Sequence, residues 1–212
     1  MNENLFKYIE QHSEIEPLYL QQISRTTHVR LLNARMIAGT TLGRILKMLC
    51  QMINPKNVLE IGTFVGYSAL CMAEGTKSDT IIHTIEIDDE LEDIILENFL
   101  KAPFDTKNIF LHIGDALQVI DNLKDTIFDL VFIDGDKRQY LQYYQKILPL
   151  VRSGGFIFAD NIFWNGKIFE KIKSNDFQTQ AIVQFNDFIA NDTRIEKNIL
   201  PVRDGLTIIR KK

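Results

Sequence analysis

From Asn57 onward, apolar residues gather in short runs with longer amphipathic stretches between them. The runs at 57–61, 80–86, 108–113, 128–133 and 154–159 are of strand length and rich in β-branched and aromatic residues. The stretches at 67–75, 89–101, 116–122 and 138–150 carry a helical period instead. Phe128-Asp129-Leu130-Val131-Phe132-Ile133 is apolar at nearly every position, as a parallel strand buried on both faces should be. Strand and helix in alternation predict an α/β, doubly wound sheet holding ligands in a crevice beyond the carboxyl ends of its strands.

The two ends of the chain depart from this alternation. A helix near 177–191 precedes strands at 194–200 and 206–210, joined by Pro201-Val202-Arg203-Asp204-Gly205. An Asp-Gly turn between two strands predicts an antiparallel hairpin that closes the sheet's edge. Ahead of the first strand, helices are expected over 3–23 and 25–34, separated near Ser24, and over 41–53, stopping before Pro55. No repeat or linker interrupts the pattern. One domain is expected over 1–212, with N-terminal helices at 1–53 and the sheet core at 54–212.

Composition narrows the classes. The chain has 212 residues, 45% hydrophobic and 25% charged, and can bury a sizeable core without disulfides. Its formal net charge of −4 offers no basic field for nucleic acid or an anionic membrane. Residues 1–23 contain no continuous apolar run of the signal-peptide kind, and nothing approaches a membrane span. A cytoplasmic protein without a membrane partner is therefore expected. Cys50 and Cys71 form no spaced motif and read as buried, reduced thiols. Arg25, Arg30 and Arg35 recur on about one face, either a solvated face or an anion-binding one.

Chemistry enters first at Val58-Leu59-Glu60-Ile61-Gly62-Thr63-Phe64-Val65-Gly66-Tyr67-Ser68, where a strand meets a glycine turn and then a helix. Bare backbone and a helix N-terminus at such a turn receive ligands, and Gly62 and Gly66 would let one lie against the main chain. The spacing is not G-x-G-x-x-G, which serves a pyrophosphate and a nicotinamide dinucleotide. Glu60 would repel a pyrophosphate and suits a ligand with an ammonium group; S-adenosylmethionine fits. Glu86, at the end of the second strand, can accept both ribose hydroxyl protons. Asp115, in Gly114-Asp115-Ala116, is available either to an exocyclic amine or as a helix N-cap.

A second constellation sits at the ends of the fourth and fifth strands, in Asp134-Gly135-Asp136-Lys137 and Asp160-Asn161. If those strands are neighbours, Asp134, Asp160 and Asn161 form an all-oxygen set suited to Mg²⁺, or to Mn²⁺ or Ca²⁺. Two carboxylates in contact without a cation would repel, and one would tend to stay protonated. Helix capping is the plainer role for each Asp taken alone. Lys137 can serve as a general base beside a cation, or simply pair with Asp134 or Asp136.

These segments, with Met36-Ile37-Ala38, Ile85-Glu86-Ile87-Asp88, Ile162-Phe163-Trp164 and Asp204-Gly205-Leu206-Thr207, carry a resemblance. From about Arg35 to Lys211 the chain resembles the metal-dependent S-adenosylmethionine O-methyltransferases that include the catechol and caffeoyl-CoA enzymes. It is most similar to their small bacterial relatives. The resemblance implies a Rossmann-like methyltransferase sheet of seven strands, N-terminal lid helices and a homodimer. It implies Asp134, Asp160 and Asn161 as metal ligands, with Asp134 also beside the donor and in catalysis, and Lys137 as the base. Glu60, Gly62 and Ser68, with Thr63 and Tyr67 in the same stretch, match positions around the methionine moiety. Glu86 matches the ribose-binding acid, Asp115 and Ala116 the adenine side, and Met36 and Ala38 the segment that closes over the donor.

Two departures leave both named acceptors unsupported. Asn198-Ile199-Leu200 stands where catechol enzymes carry an acidic residue that grips the second hydroxyl. Trp164-Asn165-Gly166-Lys167 runs on directly where plant caffeoyl-CoA enzymes have a basic, tyrosine-bearing insertion. The expected activity is metal-dependent methyl transfer to a hydroxyl of a small, catechol-like or vicinal-oxygen acceptor. Its rivals are methylation of a hydroxylated uridine in tRNA, with the three arginines on phosphates, and a nucleoside-binding module without catalysis.

Overall fold

The computed structural model describes residues 8, 9 and 11–212. Ahead of the sheet, the described residues include α1 (Leu18–Arg30) and α2 (Gly39–Ile53). Then come β1 (Asn57–Ile61), α3 (Tyr67–Glu74), β2 (Ile81–Glu86), α4 (Glu92–Phe99) and β3 (Ile109–Ile113). They are followed by α5 (Ala116–Asn122), β4 (Phe128–Ile133), α6 (Tyr140–Ile147) and β5 (Val151–Asp160). The chain closes with α7 (Phe177–Asn191), β6 (Ile195–Leu200) and β7 (Leu206–Lys211). All seven strands join one sheet in the order β3-β2-β1-β4-β5-β7-β6. The first five are parallel, and the hairpin inserts β7 antiparallel against β5 with β6 at the edge.

The all-apolar fourth strand is central and feeds both faces, with Leu130 and Phe132 entering one core and Val131 and Ile133 the other. The first core also takes Leu20 and Ile23 of α1 and Leu42 and Leu46 of α2, all at most 1% exposed. Each such side chain contributes about 1.5–3 kcal/mol of burial, so the leading helices share a core with the sheet. A buried polar knot reinforces the junction. Arg44 lies 2.8 Å from Glu74, and the Tyr19 hydroxyl donates to the same carboxylate at 3.0 Å. No helix among the described residues is long and apolar enough to cross a membrane.

The N-terminal pattern needs correction. The expected helix over 3–23 falls partly on residues 1–7 and 10, outside the described residues. The break expected near Ser24 is absent. Instead α1 runs through it, because Leu20, Ile23 and Thr27 make one continuous buried face. The chain turns at Pro17, whose carbonyl takes the amides of Leu20 and Gln21, and the helix ends at Arg30 rather than residue 34. The helices expected at 89–101 and 138–150 are shorter α-helices flanked by 3-10 turns. Strand β5 starts three residues earlier than its apolar run predicts, with Val151 pairing Phe128 across an irregular register.

Candidate active site

The carboxyl ends of β2, β1, β4 and β5 lie side by side in that order, so the residues after them share one crevice mouth. At the β1 end, Gly62 (φ 99°) and Thr63 donate backbone amides to Ile85. A Cβ on Gly62 would lie 2.3 Å from the Asp134 carbonyl oxygen, and one on Gly66 would lie 2.6 Å from the Phe99 ring. Both glycines are thus required by close approach within the protein, a reason beyond the clearance for a ligand expected from the sequence. Gly62 locks the β1 turn onto the β4 end, which fixes the distance between the two constellations.

Glu60 is wholly buried under this turn, where Thr84 donates to its Oε2 at 2.5 Å and Oε1 has no partner. Burial pushes its carboxyl up to about 8, against the pull of Ser68 and Thr84. A cationic ligand above it would reverse that shift. Glu86, 7% exposed, takes amides from Phe64 (2.6 Å), Ile87 (2.9 Å) and Asp88 (3.0 Å). Burial raises its pKa while those amides hold it down. Asp88 caps the next turn by accepting from Glu90, which leaves Glu86 with no capping duty. Asp115 does cap, accepting from Gln118 at 3.1 Å, and Ala116 is buried behind it.

At the β4 and β5 ends the pairing of Ile133 with Ala159 sets Asp134 directly beside Asp160. Asp160 is 1% exposed, and neither side-chain oxygen has a hydrogen-bond partner. Burial, then the charge of Asp134, pushes its carboxyl up to about 7. Asn161 follows in the left-handed region at φ 59°, a strained placement that persists where surrounding structure over-determines it. Lys137, buried, donates to Asp134 Oδ1 at 2.8 Å and to the Tyr140 hydroxyl at 2.5 Å. Tyr140, fully buried, directs that hydroxyl at the carbonyls of Ile133 (3.2 Å) and Asp160 (3.0 Å). It therefore holds the two strand ends and the lysine together. Asp136 takes no part, since it caps a turn and pairs with Arg138 at 2.6 Å. Among the described residues no three His, Cys, Asp or Glu side chains stand as a metal cluster. The trio offers two carboxylates and an amide, and an orphaned buried carboxylate of this kind fits a hard cation.

Known proteins match this chain over nearly its whole length. A family model described as O-methyltransferase matches residues 10–212. The chain belongs to the O-methyltransferase family. Caffeoyl-CoA O-methyltransferase of Petroselinum crispum is 33% identical, over 98% of this chain and 90% of that protein. That of Medicago sativa is 37% identical over 80% of this chain and 72% of its own length. Among solved structures, an SAH-bound methyltransferase of Podospora anserina superposes with a TM-score of 0.90. It is 29% identical and covers 100% of this chain and 97% of its own. An O-methyltransferase of Bacillus cereus in complex with SAH gives a TM-score of 0.87 at 27% identity, covering 99% and 97%. This chain is thus an S-adenosylmethionine-dependent O-methyltransferase of the caffeoyl-CoA type.

The other expected residues of this O-methyltransferase sit within or around the two constellations. Tyr67 is buried, and its hydroxyl bonds Glu16, among the leading segments rather than in the crevice. Thr63 is buried with its hydroxyl 2.5 Å from that of Thr84. Ala38 is buried, whereas Met36 is 56% exposed on a 3-10 turn beside the crevice. Arg25 and Arg35 are exposed, and Arg30 reaches Glu97 at 3.3 Å. A surface groove between α6 and α7, around Leu141, Gln184 and Phe188, contains none of the constellation. Two residues escaped sequence reasoning. Tyr140 could have been found from its place three residues after Lys137, on the same helical face. Arg203, whose guanidinium lies 3.5 Å from Asp160 Oδ2, had no local signal.

Proposed function

We propose that this enzyme transfers the methyl group of S-adenosylmethionine to one hydroxyl of a small acceptor with two neighbouring oxygens. In this reading a hard divalent cation, Mg²⁺ or a similar ion, is held by Asp134, Asp160 and Asn161. The observation that carries it is the Asp160 carboxylate, buried beside Asp134 with neither oxygen hydrogen-bonded and only a 3.5 Å ion pair to Arg203. Such a group is costly for a fold to keep unless something binds it. When bound, a divalent cation supplies acidity, lowering the pKa of a neighbouring hydroxyl.

The protein's own residues do the rest. Glu60 and Glu86 would receive the cationic amino-acid end and the ribose of the donor, beside the β1 turn. Lys137, steered by the Tyr140 hydroxyl, would take the acceptor proton; its pairing with Asp134 is the resting arrangement from which it must be released. Gly62 holds the β1 turn against the Asp134 backbone, which would keep the donor end and the trio at a set spacing. Alignment of this kind supplies most of the acceleration when the donor is already activated. Trp164, half-buried after β5, would form a wall for a flat acceptor.

The test pairs binding with turnover. Mn²⁺ electron paramagnetic resonance should show one tight ion in the wild type and none in Asp160→Ala. Methyl transfer from labelled donor to catechol should stop with EDTA and return with Mg²⁺. A chelator-insensitive enzyme whose Asp160→Ala variant still binds Mn²⁺ would sink the metal reading.

A further inference from the structure

We propose that Arg203 is a specificity-determining residue that selects acceptors carrying a carboxylate in addition to their two neighbouring oxygens. The inference rests on the methyl-transfer reading of the same cleft. It starts from topology. Because β7 lies between β5 and β6, the β6–β7 turn hangs over the carboxyl end of β5, beside Asp160. That is the side of the trio away from Glu60 and Glu86, where an acceptor has to enter.

The turn is held firmly. Gly205 donates to Val202 at 2.8 Å, and Phe163 donates to the Asp204 carbonyl at 2.9 Å. The Asp204 carboxylate takes the Asn165 amide at 2.8 Å. Arg203 itself sits at φ 51°, in the left-handed region that disfavours a residue with a Cβ. A long cationic side chain is thus fixed at a strained position over the cleft.

Its protein contacts do not account for it. Nη1 lies 3.5 Å from Asp160 Oδ2, yet that oxygen has no hydrogen bond. Nη2 reaches only the Ile37 carbonyl, at 3.4 Å. A guanidinium has five donors in a rigid fork, and among the described residues the contacts of this side chain are the Asp160 oxygen and the Ile37 carbonyl, which leaves most of its donors unused. Charge counting points the same way. A dication at the trio would cancel the charges of Asp134 and Asp160, and of the two cations that remain, Lys137 is the one assigned to the acceptor hydroxyl. The Arg203 charge is then left without a counter-ion beside the acceptor. A planar carboxylate on the acceptor satisfies both the charge and the fork geometry.

The experiment uses the full-length enzyme saturated with Mn²⁺ and S-adenosylhomocysteine. Calorimetric titration compares 3,4-dihydroxybenzoate with catechol, so the readout is binding without turnover. The wild type should prefer the carboxylate compound about tenfold or more, the scale of a charge-assisted bidentate contact. Arg203→Met should lose that preference, and Arg203→Lys, which keeps charge without the fork, should retain part of it. A wild type that binds both compounds equally, or an Arg203→Met variant that keeps the full preference, overturns the inference alone. If Mn²⁺ resonance shows the ion bound and neither compound binds, the neighbouring-oxygen reading fails and this inference falls with it.

Discussion

Around the β1 turn, the polar atoms are nearly all spoken for. Glu86 takes three amides, Thr84 joins Glu60 to Thr63, and Gly62 and Gly66 are pressed against other parts of the protein. Beyond β5 the opposite holds. Asp160 has two orphaned oxygens, the Trp164 ring nitrogen is buried without a partner, and Asn161, Trp164, Asn165 and Arg203 all take positive φ. The β1 half keeps one orphaned oxygen, on Glu60, and one positive-φ side-chain residue, Phe64, whereas the β5 half carries more of both. A donor shared by many enzymes can be met by a finished pocket. The half that meets the acceptor keeps groups whose partners arrive with the substrate.

The contrast is broken most sharply at Asp160. Asp160→Asn should abolish methyl transfer and yet raise the melting temperature of the metal-free protein at pH 8. The sign follows from its carboxyl being pushed up to about 7, from an ordinary 3.8. A raised pKa gives stability that is complete below the unfolded value and lost as pH rises through the folded one. The wild type bears that loss at pH 8; the amide does not. Scanning calorimetry across pH 5 to 8 checks this, and a stability gap that does not widen with pH would refute it.

The donor half should resist change where the acceptor half tolerates it. Gly62→Ala puts a Cβ 2.3 Å from the Asp134 carbonyl and should cost about 2–4 kcal/mol, the range of overpacking plus backbone strain. Gly166, at φ 77° with open space around it, should cost only about 1 kcal/mol when made alanine. Denaturant titration of both variants reads the difference, and equal costs would remove the contrast.

Donor binding offers a third measurement. Glu86→Ala should weaken S-adenosylhomocysteine by about 1–3 kcal/mol, the cost of lost hydrogen bonds to a charged group. The smallest effect concerns Glu60, whose carboxyl is pushed up to about 8 by burial. Its stabilising contribution is likewise present below 4.5 and lost as pH rises through about 8, while a cationic donor favours the ionised form. Affinity for S-adenosylmethionine should therefore rise between pH 6 and 8, with proton release visible in buffers of different ionisation enthalpy. An affinity flat across that range would place the donor's charge away from Glu60.

Much of this molecule was legible in one dimension because its determinants are local. The period of apolar residues marks Phe128–Ile133 as a doubly buried strand, and the Asp-Gly turn marks the terminal hairpin. The glycine turn and the acids after β2, β4 and β5 stand at strand ends, where a doubly wound sheet must present them. What escaped depends on neighbours distant in the chain. Helix α1 runs through Ser24 because a buried face, contributed by the sheet and α2, outweighs the local propensity of a serine. Gly62 is required by the carbonyl of Asp134, 72 positions further on by their numbering. Arg203 reads as an ordinary turn residue until β7 slides between β5 and β6 and carries it over Asp160. Which strands exist, and which acids end them, followed from side-chain period and turn chemistry. Which of those acids is left without a partner, and which cation faces it, was decided only when strand order set their distances.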